Sequence, residues 1–437
     1  METLLLAAIA LLLFLIMSRL SKLTHIEIPV LYLLSGILLG ILLNSFGIES
    51  LRSIFPGINT YNNLALLFMF FVAGFTINLP FLKKTGSITA KLFSLPAYAE
   101  TLVVALFITL LFHFVSLPEG PLHFLEALVV AGIFSVSSPA NVIPVCTDFI
   151  QSGYRGKNNL PVTMISVSII DSFITVPIIF VALFVLLAEG QGTSVGLWTL
   201  LGIILIILLG IVIALTLGLL LGRLELFLVH ILFLKLNKKK QCFLYDYLLI
   251  LLAFGVALLL TLLLDNLDIL KKAMTVFGIL VMCGMGIAIN NRDTTGANVI
   301  IRTHGNKLFL MFGMPSIFLY VGSLIDLSIL FRPTLLLSLL AVTLIAITTK
   351  GLTAKWILKE PVYTKGEQAF AALCFVPKGV ALINFSIIFS ALFGVHSALI
   401  SFMMMLAGVS MLLTMTLGLS ALKKSKGHFI RKTSDYL

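Results

Sequence analysis

The sequence predicts an all-α polytopic membrane protein of about 13 transmembrane helices, arranged as inverted repeats with two discontinuous helices. Three observations predict it. Of 437 residues, 60% are hydrophobic and only 11% charged, too few charges to cover a soluble surface. The apolar residues come in repeated runs of about 20, the length of a helix crossing a ~30 Å hydrocarbon core. Basic residues alternate between rich and poor loops along the whole chain. A β-barrel would show short alternating segments instead.

The spans run roughly over 2–20, 26–47, 60–82, 88–116, 122–146, 158–188, 196–222, 243–264, 270–290, 306–328, 332–358, 366–392 and 394–422. Twenty-three of the 29 basic residues fall in loops after odd-numbered spans or in the tail. Only Arg52, Lys271, Lys272 and Arg332 follow even-numbered ones. The positive-inside rule then puts the N-terminus outside and the C-terminus in the cytoplasm. The first span lacks a basic leader and a small-residue cleavage site, and reads as a retained helix. The loops are too short for a soluble domain, and residues 426–437 form a short cytoplasmic tail.

Net charge is +11, which in a soluble chain would suggest an acidic partner. Here the cytoplasmic loops account for it, and no nucleic-acid partner is expected. Cys146, Cys242, Cys283 and Cys374 have neither disulfide-framework nor zinc spacing. The histidines show no metal-ligand pair, and no phosphate-binding loop is present. No nucleophile–base pair is visible, so the chain does not read as an enzyme, and no cofactor is expected. The G-I-L-L-G run at 36–40 lies inside the second span and reads as a helix-packing surface.

Asp171 stands in the middle of the sixth span, I-S-V-S-I-I-D-S-F-I-T-V-P. A carboxylate at helix centre costs about 2.5–3.5 kcal/mol on insertion scales and marks a functional site by default. Its neighbours one turn away, Val167, Ser168, Ile174 and Thr175, offer no cation. Such a group can hold either a proton or a metal cation. The bland alternative is an acid hydrogen-bonded to serines that ties helices together.

The fifth span is interrupted by S-V-S-S-P-A-N-V-I-P, with Pro139 and Pro144 five residues apart. Proline frees backbone carbonyls, which membrane interiors tolerate only against protein or a water cavity. Ser137, Ser138 and Asn141 add neutral oxygens, so that together with Asp171 they make an oxygen shell for Na⁺ or K⁺. A proline kink with serine back-bonding is the simpler reading of the same residues. Seven spans later V-P-K-G-V interrupts the twelfth span, at Pro377, Lys378 and Gly379. An odd offset inverts the repeat across the membrane. Lys350 ends T-L-I-A-I-T-T-K in the eleventh span, either snorkelling to the interface or neutralising the acidic site when no cation is bound. Lys378 is placed to cap the carbonyl end of its helix break. Glu100 is a candidate partner of either lysine; Glu126 and Asp326 read as vestibule or interface residues.

These residues resemble the monovalent cation/proton antiporter superfamily, nearest its Kef-like and bacterial sodium/proton branches. The resemblance covers most of the chain. It rests on L-L-F-M-F-F-V-A-G-F-T-I-N-L-P-F-L at 66–82, the segment 308–327 ending G-S-L-I-D-L, and the basic connection 290–307. It rests also on Thr349-Lys350-Gly351-Leu352 and on Val376-Pro377-Lys378-Gly379, which is similar to the family's P-R-G motif. The resemblance implies a transmembrane transporter domain over 1–425. Its core covers approximately 88–188 and 306–422, and its dimerisation or scaffold helices approximately 1–82 and 196–290. The fifth and twelfth spans would be two crossed, unwound helices. Asp171 would bind the ion and Lys350 would be the basic residue of the eleventh span, in an elevator-type homodimer. Three departures stand out. Ile170 precedes Asp171 where the family carries Asp-Asp, Asn-Asp or Gln-Asp, and a one-residue shift would put Ser172 at the ion-binding position. Val380 follows the P-K-G run where an acid is common, and the soluble domain of Kef proteins is missing.

The expected function is a secondary antiporter exchanging Na⁺ or K⁺ for H⁺ across the plasma (inner) membrane. Its partners would be the cation, protons, the bilayer and a second copy of the chain. Two rival classes use the same residues: a cation channel or channel subunit, and a sodium-coupled organic-anion symporter.

Overall fold

The computed structural model describes residues 2–24, 28–46, 58–75, 77, 79–114, 123–190, 196–233, 248–253, 255–260, 271–292, 308–323, 332–359, 362–378 and 397–425. Among these the chain is helical, with one isolated antiparallel bridge between Ser137 and Lys378. In chain order the helices are α1 (Glu2–Thr24), α2 (Ile28–Ser45), α3 (Ile58–Gly74), α4 (Leu79–Phe114), α5 (Phe124–Phe134) and α6 (Pro139–Gln151). There follow α7 (Leu160–Ile174), α8 (Val176–Gly190), α9 (Leu197–Phe233), α10 (Leu248–Leu260) and α11 (Lys271–Arg292). The last are α12 (Met314–Ser323), α13 (Pro333–Ile357), α14 (Lys365–Cys374), α15 (Ser397–Leu413) and α16 (Leu419–Lys424). Wide turns at Phe309–Gly313 and Thr414–Gly418 lead into α12 and α16.

Every predicted span coincides with at least one of these helices. Among the described residues, five helical stretches are long and apolar enough to cross a membrane: 82–113, 157–186, 198–229, 333–357 and 405–424. A sixth appears if α1 and α2, which bend by 113°, are taken as one span. Five more predicted spans hold shorter apolar helices, Thr60–Gly74, Phe124–Phe134, Leu248–Leu260, Phe277–Asn291 and Met311–Tyr320. Of the twelfth, α14 covers the first part and 379–392 lies outside the described residues. Three boundaries differ from the sequence reading. α4 starts nine residues before its predicted 88, because the polar run bearing Lys83, Lys84 and Lys91 is helix-competent and keeps those lysines exposed. The sixth span breaks at Thr175, where Pro177 removes a donor from the first turn of α8. The fifth span breaks at 135–138, ahead of Pro139, while Pro144 lies within α6 and is exposed. Pro139 occupies the first position of α6, where a missing N–H costs nothing.

The chain divides into two compact units. One holds Met1–Pro80 and Leu208–Leu324. Small residues bring its helix backbones together. A Cβ at Gly36 of α2 would lie 2.5 Å from the Leu319 carbonyl oxygen and 2.9 Å from the Gly322 Cα of α12. A Cβ at Gly40 would meet the Ser323 carbonyl at 2.7 Å, so the 36–40 run is a packing surface as expected. Gly218 and Gly284 do the same for α9 and α11, and Gly74 and Gly286 for α3 and α11. Two asparagines at the end of α11 bind the chain leaving α3. Asn290 Nδ2 and Asn291 Nδ2 donate to the Ile77 carbonyl at 2.8 and 2.9 Å, and Leu79 N donates to Asn291 Oδ1 at 2.8 Å.

The other unit holds Phe81–Ile207 and Ile325–Leu437. Here α5 packs on α8, α6 on α7, and α13 on α14. Gly132 of α5 leaves room for Ile179 of α8. Phe112 of α4 meets Phe402 of α15 edge-on at 4.9 Å, and Phe149 of α6 lies 5.4 Å from Phe370 of α14. In the first unit α12 packs on α1, α2 and α3, with the glycine seam on α2 its largest contact.

Candidate functional site

The site of the second unit is built where two helices come apart. α5 ends at Phe134 and its chain continues extended to Ser138, the N-cap of α6. α14 ends at Cys374, and its chain runs through Phe375 and Pro377 to Lys378. The two interruptions pair with each other: Ser138 N donates to the Pro377 carbonyl at 3.0 Å, beside the Ser137–Lys378 bridge. Backbone groups that lost their helical partners therefore find each other, as a buried interruption requires. Lys378 N donates to Thr414 Oγ1 at 3.0 Å, at the start of the wide turn after α15.

Four charged side chains from four helices or interruptions converge beside this pairing, all fully buried. Asp171 of α7 accepts at Oδ2 from Lys350 Nζ of α13 at 2.8 Å and from Ser137 N at 3.0 Å. Lys350 also donates to the Ser135 carbonyl and lies 3.3 Å from Glu100 Oε2 of α4. Glu100 Oε1 accepts from Lys378 Nζ at 2.5 Å. Two carboxylates and two ammonium groups thus form one chain of ion pairs, Asp171–Lys350–Glu100–Lys378, with no net charge. Each ammonium also faces an aromatic ring at a half-helix end: Lys350 lies 5.2 Å from the Phe375 ring, Lys378 5.0 Å from that of Phe134. A helix C-terminus carries partial negative charge, so cations are favoured at both places.

Not every oxygen is satisfied. Asp171 Oδ1, Ser137 Oγ and Thr175 Oγ1 are buried and have no hydrogen-bond partner. Thr175 follows Asp171 by one helical turn, and Ser137 binds Asp171 through its backbone, so the three belong to one neighbourhood. Orphaned buried oxygens are costly, and a carboxylate oxygen with two unpartnered hydroxyls suits a hard cation. The group bears no histidine or thiolate, the donors a transition metal prefers.

The sequence-predicted residues divide as follows. Asp171, Ser137 and Lys350 meet directly. Ser138 and Asn141 are buried beside them but bind each other, Asn141 Nδ2 donating to Ser138 Oγ at 2.9 Å. Lys350 does not snorkel; it is fully buried. Lys378 reaches Glu100 and the Phe134 ring rather than a free carbonyl of its own helix. Pro139 and Pro377 border the paired interruptions, whereas Pro144 does not mark a break. The Ser172 side chain and Gly379 lie outside the described residues. The cation that Asp171 lacks within one helical turn comes from Lys350 of α13, 179 positions along the chain. Thr175 as an orphan oxygen and the Ser135 carbonyl as a lysine acceptor were missed. Thr175 was findable, since it shares a helix face with Asp171.

A model of the family described as "Sodium/hydrogen exchanger, transmembrane" matches residues 5–422, nearly the whole chain. The chain belongs to that family. It is therefore a membrane transporter, not an enzyme, and cation/proton antiport is the activity of its family. The fold of this exchanger is similar to that of the sodium proton antiporter MjNhaP1 from Methanocaldococcus jannaschii at pH 8. The TM-score is 0.67 at 19% identity, over 98% of this chain and 99% of that one. An electron-microscopy map of the same antiporter gives a TM-score of 0.64 at 19% identity, over 97% and 95% of the two chains. No curated protein matches the exchanger by sequence.

Proposed function

We propose that this exchanger moves Na⁺ or K⁺ against H⁺ across the plasma membrane, with Asp171 holding the cation and the proton alternately. The single observation that carries the reading is the state of Asp171. One of its oxygens is paired with Lys350, while the other is buried and unpartnered, as are the hydroxyls of Ser137 and Thr175. A cation entering among these oxygens competes with the Lys350 ammonium for the carboxylate. A proton on Asp171 removes the charge that both need. Proton and cation are thus mutually exclusive occupants, which is the requirement for exchange rather than leak. Glu100 keeps Lys350 in place when it leaves Asp171, because a second carboxylate oxygen already stands 3.3 Å from its nitrogen.

Alternating access proceeds as an elevator-type movement in which the unit carrying the charge network moves as one body. The other unit, with its glycine-sealed helices, serves as scaffold and dimer contact. The N-terminus faces outside and the C-terminal tail the cytoplasm, in keeping with the loop charges. The test is a pH-dye assay in proteoliposomes against Li⁺, Na⁺, K⁺ and Rb⁺. Wild type dissipates a pH gradient when Na⁺ or K⁺ is added, and Asp171→Asn does not. Undiminished exchange by Asp171→Asn would end the proposal.

A further inference from the structure

A second charged feature of the same unit lies apart from the ion network. Lys355 and Lys359 at the end of α13, with Lys365 and Gln368 at the start of α14, line a cavity of about 620 Å³. All three lysines are exposed, and none is ion-paired among the described residues. Glu367 of α14 is fully buried, and its carboxylate is engaged by backbone donors. It accepts from Lys157 N at 2.7 Å and from Thr364 N at 2.9 Å. Lys365 occupies the first position of α14, where the helix dipole disfavours a cation. Three ammonium groups around one cavity with no described counter-charge call for an anion.

The surroundings decide which anion. Leu337, Leu344, Leu352 and Trp356 are each more than half exposed, and their spacing places them on one face of α13. This apolar stripe runs down to the cavity and ends at Trp356, whose ring lies 5.0 Å from Lys359 Nζ. An exposed tryptophan between an apolar stripe and a cluster of lysines is the arrangement of a membrane–water boundary. A soluble phosphate would engage the lysines alone. A phospholipid uses both.

We propose that the Lys355–Lys359–Lys365 cavity binds the phosphate of an anionic phospholipid, whose acyl chains lie along the α13 stripe. The occupant bridges α13, which carries Lys350, and α14, which leads to Lys378. The proposal requires only that the chain spans a membrane, and it stands or falls independently of what is transported.

The chain has two tryptophans, so Trp198→Phe leaves Trp356 as a reporter at the cavity. The full-length protein is reconstituted in phosphatidylcholine vesicles containing a few mole per cent of bromine-labelled lipid. The bromine quenches a tryptophan in contact with it. Labelled phosphatidylglycerol should quench Trp356 far more strongly than labelled phosphatidylcholine at the same mole fraction. Each lysine near an anionic lipid is worth about fivefold in affinity, so Lys355→Gln/Lys359→Gln/Lys365→Gln should lower the preference by about a hundredfold. Removing three exposed lysines elsewhere, in Lys83→Gln/Lys84→Gln/Lys91→Gln, should leave it intact. Thermal melting in phosphatidylcholine alone checks that each variant is folded, and the single Lys365→Gln variant serves if the triple variant is not. Equal quenching by the two lipids overturns the proposal, as does equal loss in the two triple variants. Abolition of the preference by millimolar inorganic phosphate assigns the cavity to a soluble anion and overturns it too.

Discussion

Replacing Lys350 by glutamine removes the central link of the ion network. At an effective dielectric constant near 20, an ammonium at 2.8 Å from Asp171 is attracted by about 6 kcal/mol, and one at 3.3 Å from Glu100 by about 5 kcal/mol. Burying the ammonium costs several kcal/mol in the opposite direction. Breaking a buried pair by deleting one partner leaves a net cost of about 3–5 kcal/mol, which is on the order of 10 °C in melting temperature for a unit of this size. Lys350→Gln leaves two carboxylates facing Lys378 alone, with one negative charge uncompensated. Sodium relieves that charge without having to displace an ammonium. The melting temperature of the variant should therefore climb steeply with Na⁺, by about 1.4 kcal/mol of stability per tenfold in concentration above the dissociation constant. Wild type should respond less, because its own lysine competes. The assay is thermal unfolding of purified protein at constant ionic strength, with choline replacing sodium. A variant as stable as wild type, or with no larger sodium slope, would refute the reasoning.

Other consequences are simpler to read. Glu100→Gln leaves Lys350 with Asp171 but strands the Lys378 ammonium, and should destabilise by about 3–5 kcal/mol, whereas Glu100→Gln/Lys378→Gln should cost clearly less than the two single changes added together. Chemical denaturation of the four proteins of that cycle measures the coupling. Gly36→Ala drives a methyl group into the Leu319 carbonyl and should cost on the order of 1–3 kcal/mol. Gly202→Ala, which meets nothing within 4 Å, should stabilise α9 by roughly 0.5–1 kcal/mol, and thermal melting separates the two. Thr364→Ala deletes the capping box of α14 and should lower stability by about 1 kcal/mol; Thr364→Ser should not.

What the sequence could reveal was set by the range of the interactions involved. Asp171, Lys350 and Lys378 were identifiable one by one, because a charge inside an apolar run is anomalous wherever it falls. The S-S-P and V-P-K-G interruptions were identifiable because proline and glycine act on their own backbone. The pairing between these features was not identifiable in the same way. Ser138 and Pro377 are 239 positions apart, and no local pattern states that their backbones will exchange a hydrogen bond. For Glu100 the sequence offered either lysine as a partner but no local pattern that gives it both. Only the meeting of α4, α13 and the α14 interruption makes it the shared acceptor of two lysines.

The distribution of local and distant contacts follows from the physics of the site. A cation carrier must hold a charge where lipid forbids one, and must be able to let it go. A partner one turn away on the same helix would be fixed to Asp171 by the helix itself and could not yield. A partner on another helix can part from Asp171 as a cation arrives, and Glu100 offers it a second carboxylate when it does. Lys350 therefore belongs on a different element from Asp171, and a network with equal numbers of acids and lysines can lose one contact without exposing a net charge.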